Sequence, residues 1–445
     1  MVKRCPATIR ITIRMREISN PRLLAFEVLT KVEIEGLYSN IVLPQWLGRS
    51  KLSREDKALA TELVYGSLRM RGRHDSLISK VSNRPLAEIE EKVLICVRLG
   101  VHQLTQMRIP SHAAIFETVE IAKRAVGKSS GSFVNALLRS IDSLNLPKNA
   151  VDEENIEYLT AEYSHPEWII SSYFDSLKSR AEVIKLLQAN NAPTSPNLIA
   201  WPGLSTVDEL ISAGAEPIPN SHNGAIFNGN PGDIPAIRER RAGVQDYGSQ
   251  IVVEKFLDTF EEDLKWLDMC AGPGGKSAYL SAYINQHSGD FVANEISEHR
   301  AELVNQVVKN HHVTQFDARR LPESLGDFDR ILLDAPCTGI GALRRRPEVR
   351  WRRSLEDLKS LTQLQTELLD AAAARLTVDG ILAYVTCSSH QAETTFQIRA
   401  FLKRHSHFQR IRVNDARTDT LGDLQLWTHR DSTDCMYLSL LRRVK

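Results

Sequence analysis

Two cysteines in this chain stand where a thiol could act as a nucleophile. Cys337 lies in "LDAPCTG", beside a proline that fixes the local backbone, and Cys387 lies in "YVTCSS" at the end of an apolar run. A free thiol has a pKa of about 8.5, so catalysis by either sulfur requires something nearby that stabilises the thiolate. Lys276, in "DMCAGPGGKS", is the candidate positive charge, and Asp334 is a carboxylate placed just before Cys337. Directly after the Cys337 loop come Arg344, Arg345, Arg346, Arg350, Arg352 and Arg353, with Trp351 among them. Guanidinium groups beside an aromatic suit phosphate contacts and base stacking, so this cluster predicts a nucleic-acid interface. The formal net charge is only +1, so such binding must come from a local patch and not from the charge of the whole chain.

The other cysteines, Cys5, Cys96, Cys270 and Cys435, form no C-x-x-C pair, and no histidine pair has ligand spacing. No metal site is expected, and unpaired thiols suit a reducing cytoplasm.

The elements that must position these groups begin after Gln245, where helix and strand patterns alternate. Strands are predicted at 264–269, 290–295, 313–317, 329–334 and 380–386, separated by segments of helical periodicity. This alternation predicts an α/β domain with a Rossmann-like, mostly parallel sheet covered on both faces. Two later β-like runs, "FQRIRVND" and "DCMYLSLLR", are expected to pair antiparallel at one edge. In such sheets ligands bind beyond the carboxyl ends of the strands. Asp268, Glu295, Asp317 and Asp334 fall at four predicted strand ends, and Cys387 follows the fifth. The turn after the first strand is rich in glycine (Gly272, Gly274, Gly275), which allows close backbone approach to a ligand before a helix begins. It is not a G-x-G-x-x-G dinucleotide fingerprint, and with Glu295 twenty residues on it predicts a nucleoside cofactor.

With 445 residues, 42% hydrophobic and 25% charged, the chain has room for two or three domains. No apolar run approaches the length of a bilayer span. Residues 1–19 form a basic extension, and 20–145 carry helical periodicity throughout, with Ser53 and Ser111 as expected N-caps. Residues 146–240 are expected to hold a linker, short helices and a small α/β subdomain, and 241–445 the sheet domain. The expected state is a monomer.

The stretches "DMCAGPGGKS", "LLDAPCTGIGALRRRPEVRW" and "YVTCSSHQAET", in that order, resemble the S-adenosylmethionine-dependent RNA cytosine-5 methyltransferases. "AGVQDYGSQIVVEKFL" is similar to the entry motif of that family. "REDKALATELVYGSLR", "LGVHQLTQMRIPSHAAIFETVEIAK", "GSFVNALLRSI" and "YSHPEWII" are similar to the RsmB/Sun type, which carries a NusB-like RNA-binding domain. The resemblance implies a seven-stranded methyltransferase sheet preceded by an all-α NusB-like domain, and an RNA partner, 16S ribosomal RNA above all. It also implies S-adenosyl-L-methionine contacts at Cys270, Ala271, Gly272, Pro273, Gly274, Gly275, Lys276, Glu295, Asp317 and Asp334. The implied nucleophile is Cys387, with Cys337 as the second thiol that assists product release. Two positions depart from the family pattern: Glu393-Thr394 replaces an acid-asparagine pair, and the ribose acid is Glu295 instead of an aspartate. A transfer RNA target, and a non-catalytic RNA-binding assembly factor, are the alternatives. An NAD-dependent oxidoreductase is weakened by the missing fingerprint.

Overall fold

The computed structural model describes residues 19–144, 155–262 and 264–445. The basic N-terminal extension up to residue 18, and all but the last residue of the linker "NLPKNAVDEEN", lie outside the described residues. The chain forms two compact units.

The first unit comprises the described residues up to Ser171, together with Asn190–Ala192 and Leu343–Arg352. Between Pro21 and Asp142 it is helical, with helices Pro21–Glu33, Ser39–Arg49, Arg54–Arg69, Arg71–Val81, Glu91–Gln106, Ser111–Ala125 and Lys128–Asp142. Asn20 caps the first of these by accepting from the amides of Arg22 and Leu23, and Ser53 caps the third by accepting from Asp56. Ser111, expected as a cap, is instead the first helical residue, and its hydroxyl bonds Asp142 at 2.7 Å. The apolar stripes predicted by the three-and-four spacing meet in one core that includes Leu24, Leu29, Leu63, Val97 and Leu138. Close packing dictates small residues at helix contacts. A β carbon at Gly100 would stand 2.5 Å from Leu138.

The second unit comprises Ser172–Ala189, Pro193–Ala342 and Arg353–Lys445. It opens with a four-stranded antiparallel sheet of order β2-β3-β1-β4, where β1 is Asn197–Ala200, β2 Glu216–Pro217, β3 Gly224–Ile226 and β4 Ala242–Val244. Three of its strands lie within residues 146–240, where a small α/β subdomain was expected, and β4 lies beyond that range.

The large sheet contains β5 (Leu264–Asp268), β6 (Gly289–Asn294), β7 (His312–Thr314), β8 (Phe328–Asp334), β9 (Leu376–Thr386), β10 (Phe408–Ile411), β11 (Leu424–Gln425) and β12 (Tyr437–Arg443). Seven strands run in the order β10-β12-β9-β8-β5-β6-β7, and the two-residue β11 pairs with β12. The pairs from β9 to β7 are parallel. β12 is antiparallel to both β9 and β10, so the last strand lies inside the sheet and β10 takes the edge. Alternate residues feed two cores: Trp266, Phe291 and Leu332 on one face, Leu267, Val292, Ile331 and Leu333 on the other. Strand order reverses between β5 and β8, so their carboxyl ends border the crevice where doubly wound sheets bind ligands.

Candidate active site

Parallel pairing of β8 with β9 sets Asp334 opposite Val385, and Ala335 extends the ladder with an amide bond to the Val385 carbonyl at 2.9 Å. Beyond this point the two chains become loops, and their thiols meet. Cys337 Sγ and Cys387 Sγ are 3.3 Å apart, and both residues are half-buried. Gly341 braces Cys387 by donating its amide to the Cys387 carbonyl at 3.0 Å.

Lys276 enters on the first turn of the helix Gly275–Ile284, which follows β5, and its Nζ lies 2.7 Å from Asp334 Oδ2. Burial pulls the ammonium pKa down. The Asp334 charge and hydrogen bond outweigh this, with Cys387 contributing in the same direction, so the net shift is upward and Lys276 stays charged. Its primary partner is Asp334, with the thiol pair in the same field.

The Cys337 pKa is held well above its ordinary value, first by the hydrogen bond to Cys387, then by burial and by the charges of Cys387, Glu393 and Asp334. Cys337 therefore keeps its proton, and either sulfur of the pair can be the donor to the other.

The glycine turn occupies the end of β5. Ala271 donates its amide to the Asn294 carbonyl at 2.9 Å, and Gly274 has φ +110°, which favours glycine. The Gly272 amide donates to Glu295 Oε2 at 3.0 Å, and a β carbon at Gly272 would collide with that oxygen and with Arg300 Nε. Glu295 is almost wholly buried just past β6, where it also accepts from the Ser297 amide at 2.9 Å and pairs with Arg300 at 3.2 Å. Pro273, the exposed residue of the turn, follows a cis Gly272–Pro273 bond. Cys270 sits at the turn with its thiol pKa raised by burial, which marks it as packing and not as a reactive group.

Around this turn, Asn294, Ile296, Phe316 and the Gln245 side chain were not singled out from sequence, whereas Asp268 was. Asn294 donates to the carbonyls of Met269 and Phe316 and accepts from Thr314 and Phe316, which ties the ends of β5, β6 and β7 together. Ile296 and Phe316 are large apolar residues left exposed beside Glu295 and Asp317. Asp268 is buried with its Oδ2 bonded to Ser277 at 2.6 Å, while its Oδ1 has no partner among the described residues. The amide atoms of Gln245 are also buried and unpaired, 3.8 Å from where a β carbon of Gly275 would stand. Bare backbone, an apolar rim and unpaired polar atoms together fit a nucleoside-bearing cofactor.

Other expected site residues fall elsewhere. Asp317 does not end a strand, because β7 stops at Thr314. It caps the short turn Ala318–Arg320 and pairs with Arg319 at 2.7 Å, which lowers its pKa. The arginine cluster divides. Arg350 is fully buried in the first unit, where its guanidinium donates to the carbonyls of Ser164 at 3.0 Å and Arg69 at 3.3 Å and to Asn191 at 2.8 Å. Arg352 donates to the carbonyls of Val32 and Leu37 at 2.6 Å and Gly36 at 3.1 Å. Trp351 packs against Gly72 and lies under the Arg71 guanidinium, 5.9 Å from its ring centre. These three side chains all contact the protein itself, and of them Arg350 is fully buried while Trp351 and Arg352 are half-buried. Arg344 and Arg345 are half-buried, and Arg346 is exposed with its guanidinium over Tyr38. Arg353 belongs to the second unit and donates to the Thr338 carbonyl at 3.2 Å.

Residues 255–442 match the family described as 16S rRNA methyltransferase RsmB/F, and residues 19–143 match the NusB family. The chain is 32% identical to ribosomal RNA small subunit methyltransferase B of Vibrio vulnificus, over 86% of this chain and 91% of that protein. This chain belongs to the RsmB/F family of 16S rRNA methyltransferases. Mycobacterium tuberculosis Rv1407, a methyltransferase by name, is 37% identical over 97% of this chain and 98% of that one. The crystal structure of PH0851 shares the fold with a TM-score of 0.82 at 22% identity, covering 96% of this chain and all of that one. The RsmB/F assignment supports S-adenosylmethionine as the cofactor of an RNA methyltransferase. Among the described residues no helix is long and apolar enough to cross a membrane, and no cluster of three metal-ligating side chains occurs.

Proposed function

We propose that this RsmB/F protein methylates C5 of a cytosine in 16S ribosomal RNA through a transient bond between Cys387 and the base. The observation that carries this reading is the half-buried thiol pair 3.3 Å apart just past the ends of neighbouring parallel strands, beside the Lys276–Asp334 pair. S-adenosylmethionine would be held by the Cys270–Lys276 turn and Glu295, beside the exposed Ile296 and Phe316, and when bound would supply an electrophilic methyl group from its sulfonium sulfur, which leaves as a neutral thioether. C5 of cytosine is too weakly nucleophilic to accept it unaided.

The Cys387 thiolate adds to C6, and the displaced π electrons move toward N3, which takes a proton from water, donates a hydrogen bond to Asp334 and returns the proton to water once C5 is alkylated. Lys276 holds the other side of that carboxylate. C5, now enamine-like, takes the methyl group. Loss of the C5 proton then restores the C5–C6 double bond and expels the Cys387 thiolate. Cys337 fits the role of base in this last step because its sulfur lies 3.3 Å from that of Cys387. Bonding of Cys387 to carbon relieves the largest cause that holds the Cys337 proton, while burial and the Glu393 and Asp334 charges remain. In this step Cys337 gives its proton to water and accepts the one on C5. Binding to RNA draws on the NusB-like unit and on exposed Arg346.

Cys387→Ser is expected to abolish both methyl transfer and any covalent protein–RNA adduct, whereas Cys337→Ser accumulates the adduct. The reverse pattern would transfer the nucleophile role to the Pro-Cys thiol, as in DNA cytosine methyltransferases. Bisulfite sequencing of ribosomal RNA from a deletion strain tests the target.

A further inference from the structure

Glu393 is fully buried, yet it lies on neither strand that carries a thiol. It belongs to the short turn Gln391–Glu393 between β9 and the helix Thr395–Arg404. Its Oε1 accepts from the Thr338 amide at 2.7 Å and from Gln365 Nε2 at 3.2 Å. Its Oε2 accepts from the Thr338 hydroxyl at 2.5 Å and the Ser388 hydroxyl at 2.6 Å. Thr338 follows Cys337 and Ser388 follows Cys387, so one carboxylate grips the residue after each sulfur. The turn is itself anchored, because the Tyr384 hydroxyl on β9 donates to the Glu393 carbonyl at 2.9 Å. Gln365 completes the frame by donating to the Pro336 carbonyl at 2.9 Å.

We propose that Glu393 is a positioning residue that holds the Cys337 and Cys387 loops at reactive separation. The reason is geometric. Beyond the strand ends the Gly341 amide reaches the Cys387 carbonyl, but next to the sulfurs themselves it is Glu393 that joins Thr338 to Ser388, and a charged acceptor with four donors is a strong local tie. An error of about 1 Å in placing reacting groups can cost roughly 100-fold in rate, so the tie bears on turnover and not only on folding. This inference rests on the thiol-based reading above, and its test separates the two.

Thiol proximity is read with dibromobimane, which becomes fluorescent once it has alkylated two neighbouring thiols, on the full-length protein and with Cys337→Ser as blank. Glu393→Leu removes all four acceptor contacts and is expected to suppress double alkylation while each thiol still reacts with monobromobimane. Its kcat for methyl transfer should fall by about 100-fold, with RNA and S-adenosylmethionine affinities within about twofold of the parent. Glu393→Gln keeps a carbonyl oxygen for the two N–H donors, and its amide can donate to hydroxyls that rotate to accept. It should restore both signals to within about tenfold. If Glu393→Leu does not fold, Thr338→Val with Ser388→Ala removes the hydroxyl ties and is read in the same way. Unchanged double alkylation and kcat in a folded variant would overturn the proposal. Activity surviving in Cys387→Ser would instead sink the catalytic reading and leave the alkylation result standing.

Discussion

Gly341 and Cys387 are in backbone contact: the Gly341 amide donates to the Cys387 carbonyl, and a β carbon on Gly341 would stand 2.8 Å from that carbonyl group and collide with the Cys435 carbonyl. The atoms in the way are backbone and cannot rotate aside. Gly341→Ala is expected to displace the Cys387 loop, lowering kcat by at least about tenfold and stability by about 1–3 kcal/mol. Methyl-transfer kinetics and thermal unfolding check this, and an alanine variant with parental kcat would show that the loop position is not critical.

Arg350 and Arg346 lie four residues apart and should behave oppositely. Removing the buried Arg350 guanidinium strands carbonyls from distant segments, so Arg350→Ala should destabilise the first unit by about 3 kcal/mol. Arg346→Ala should leave the thermal midpoint unchanged, weaken RNA binding and reduce the slope of log affinity against log salt by about one. RNA titrations at several salt concentrations, with calorimetry of both variants, distinguish them. A stable Arg350→Ala protein with a reduced salt slope would return that residue to the RNA interface.

Asp268 carries a pH signature. Burial raises its carboxyl from an ordinary 3.8 to about 7, with Asp334 adding to the rise and the Ser277 hydroxyl opposing it. The folded chain therefore binds more protons at this site than the unfolded chain between roughly pH 4 and 7, and stability contributed here falls as pH rises through that window. Asp268→Asn should remove the penalty and stabilise the cofactor-free protein at pH 8 by roughly 1–3 kcal/mol, since each pKa unit is worth about 1.4 kcal/mol. Denaturant titrations at pH 5 and pH 8 measure it. A parent-to-variant difference that is the same at both pH values would contradict the assignment.

The order of helices and strands, the glycine turn and the meeting of two thiols were legible from the chain alone. Each depends on local periodicity, or on the rule that consecutive parallel strands end on one edge. Cys337 and Cys387 are 50 residues apart, yet both follow strand ends by only a few residues, so the parallel pairing of β8 with β9 delivers their loops to one edge. The boundary of β7 was less legible, because a strand three residues long carries too little alternation to mark its end, and Asp317 thereby became a turn cap.

Only the tertiary structure decided how charged side chains are used. The Arg350 guanidinium is satisfied by a carbonyl 281 residues away, and Glu393 reaches across 55 residues to Thr338. A charge run reads the same in sequence whether it faces water or is buried against carbonyls. The difference lies in which distant segment packs over it, and that packing is set by the apolar cores on either side and not by the charges themselves.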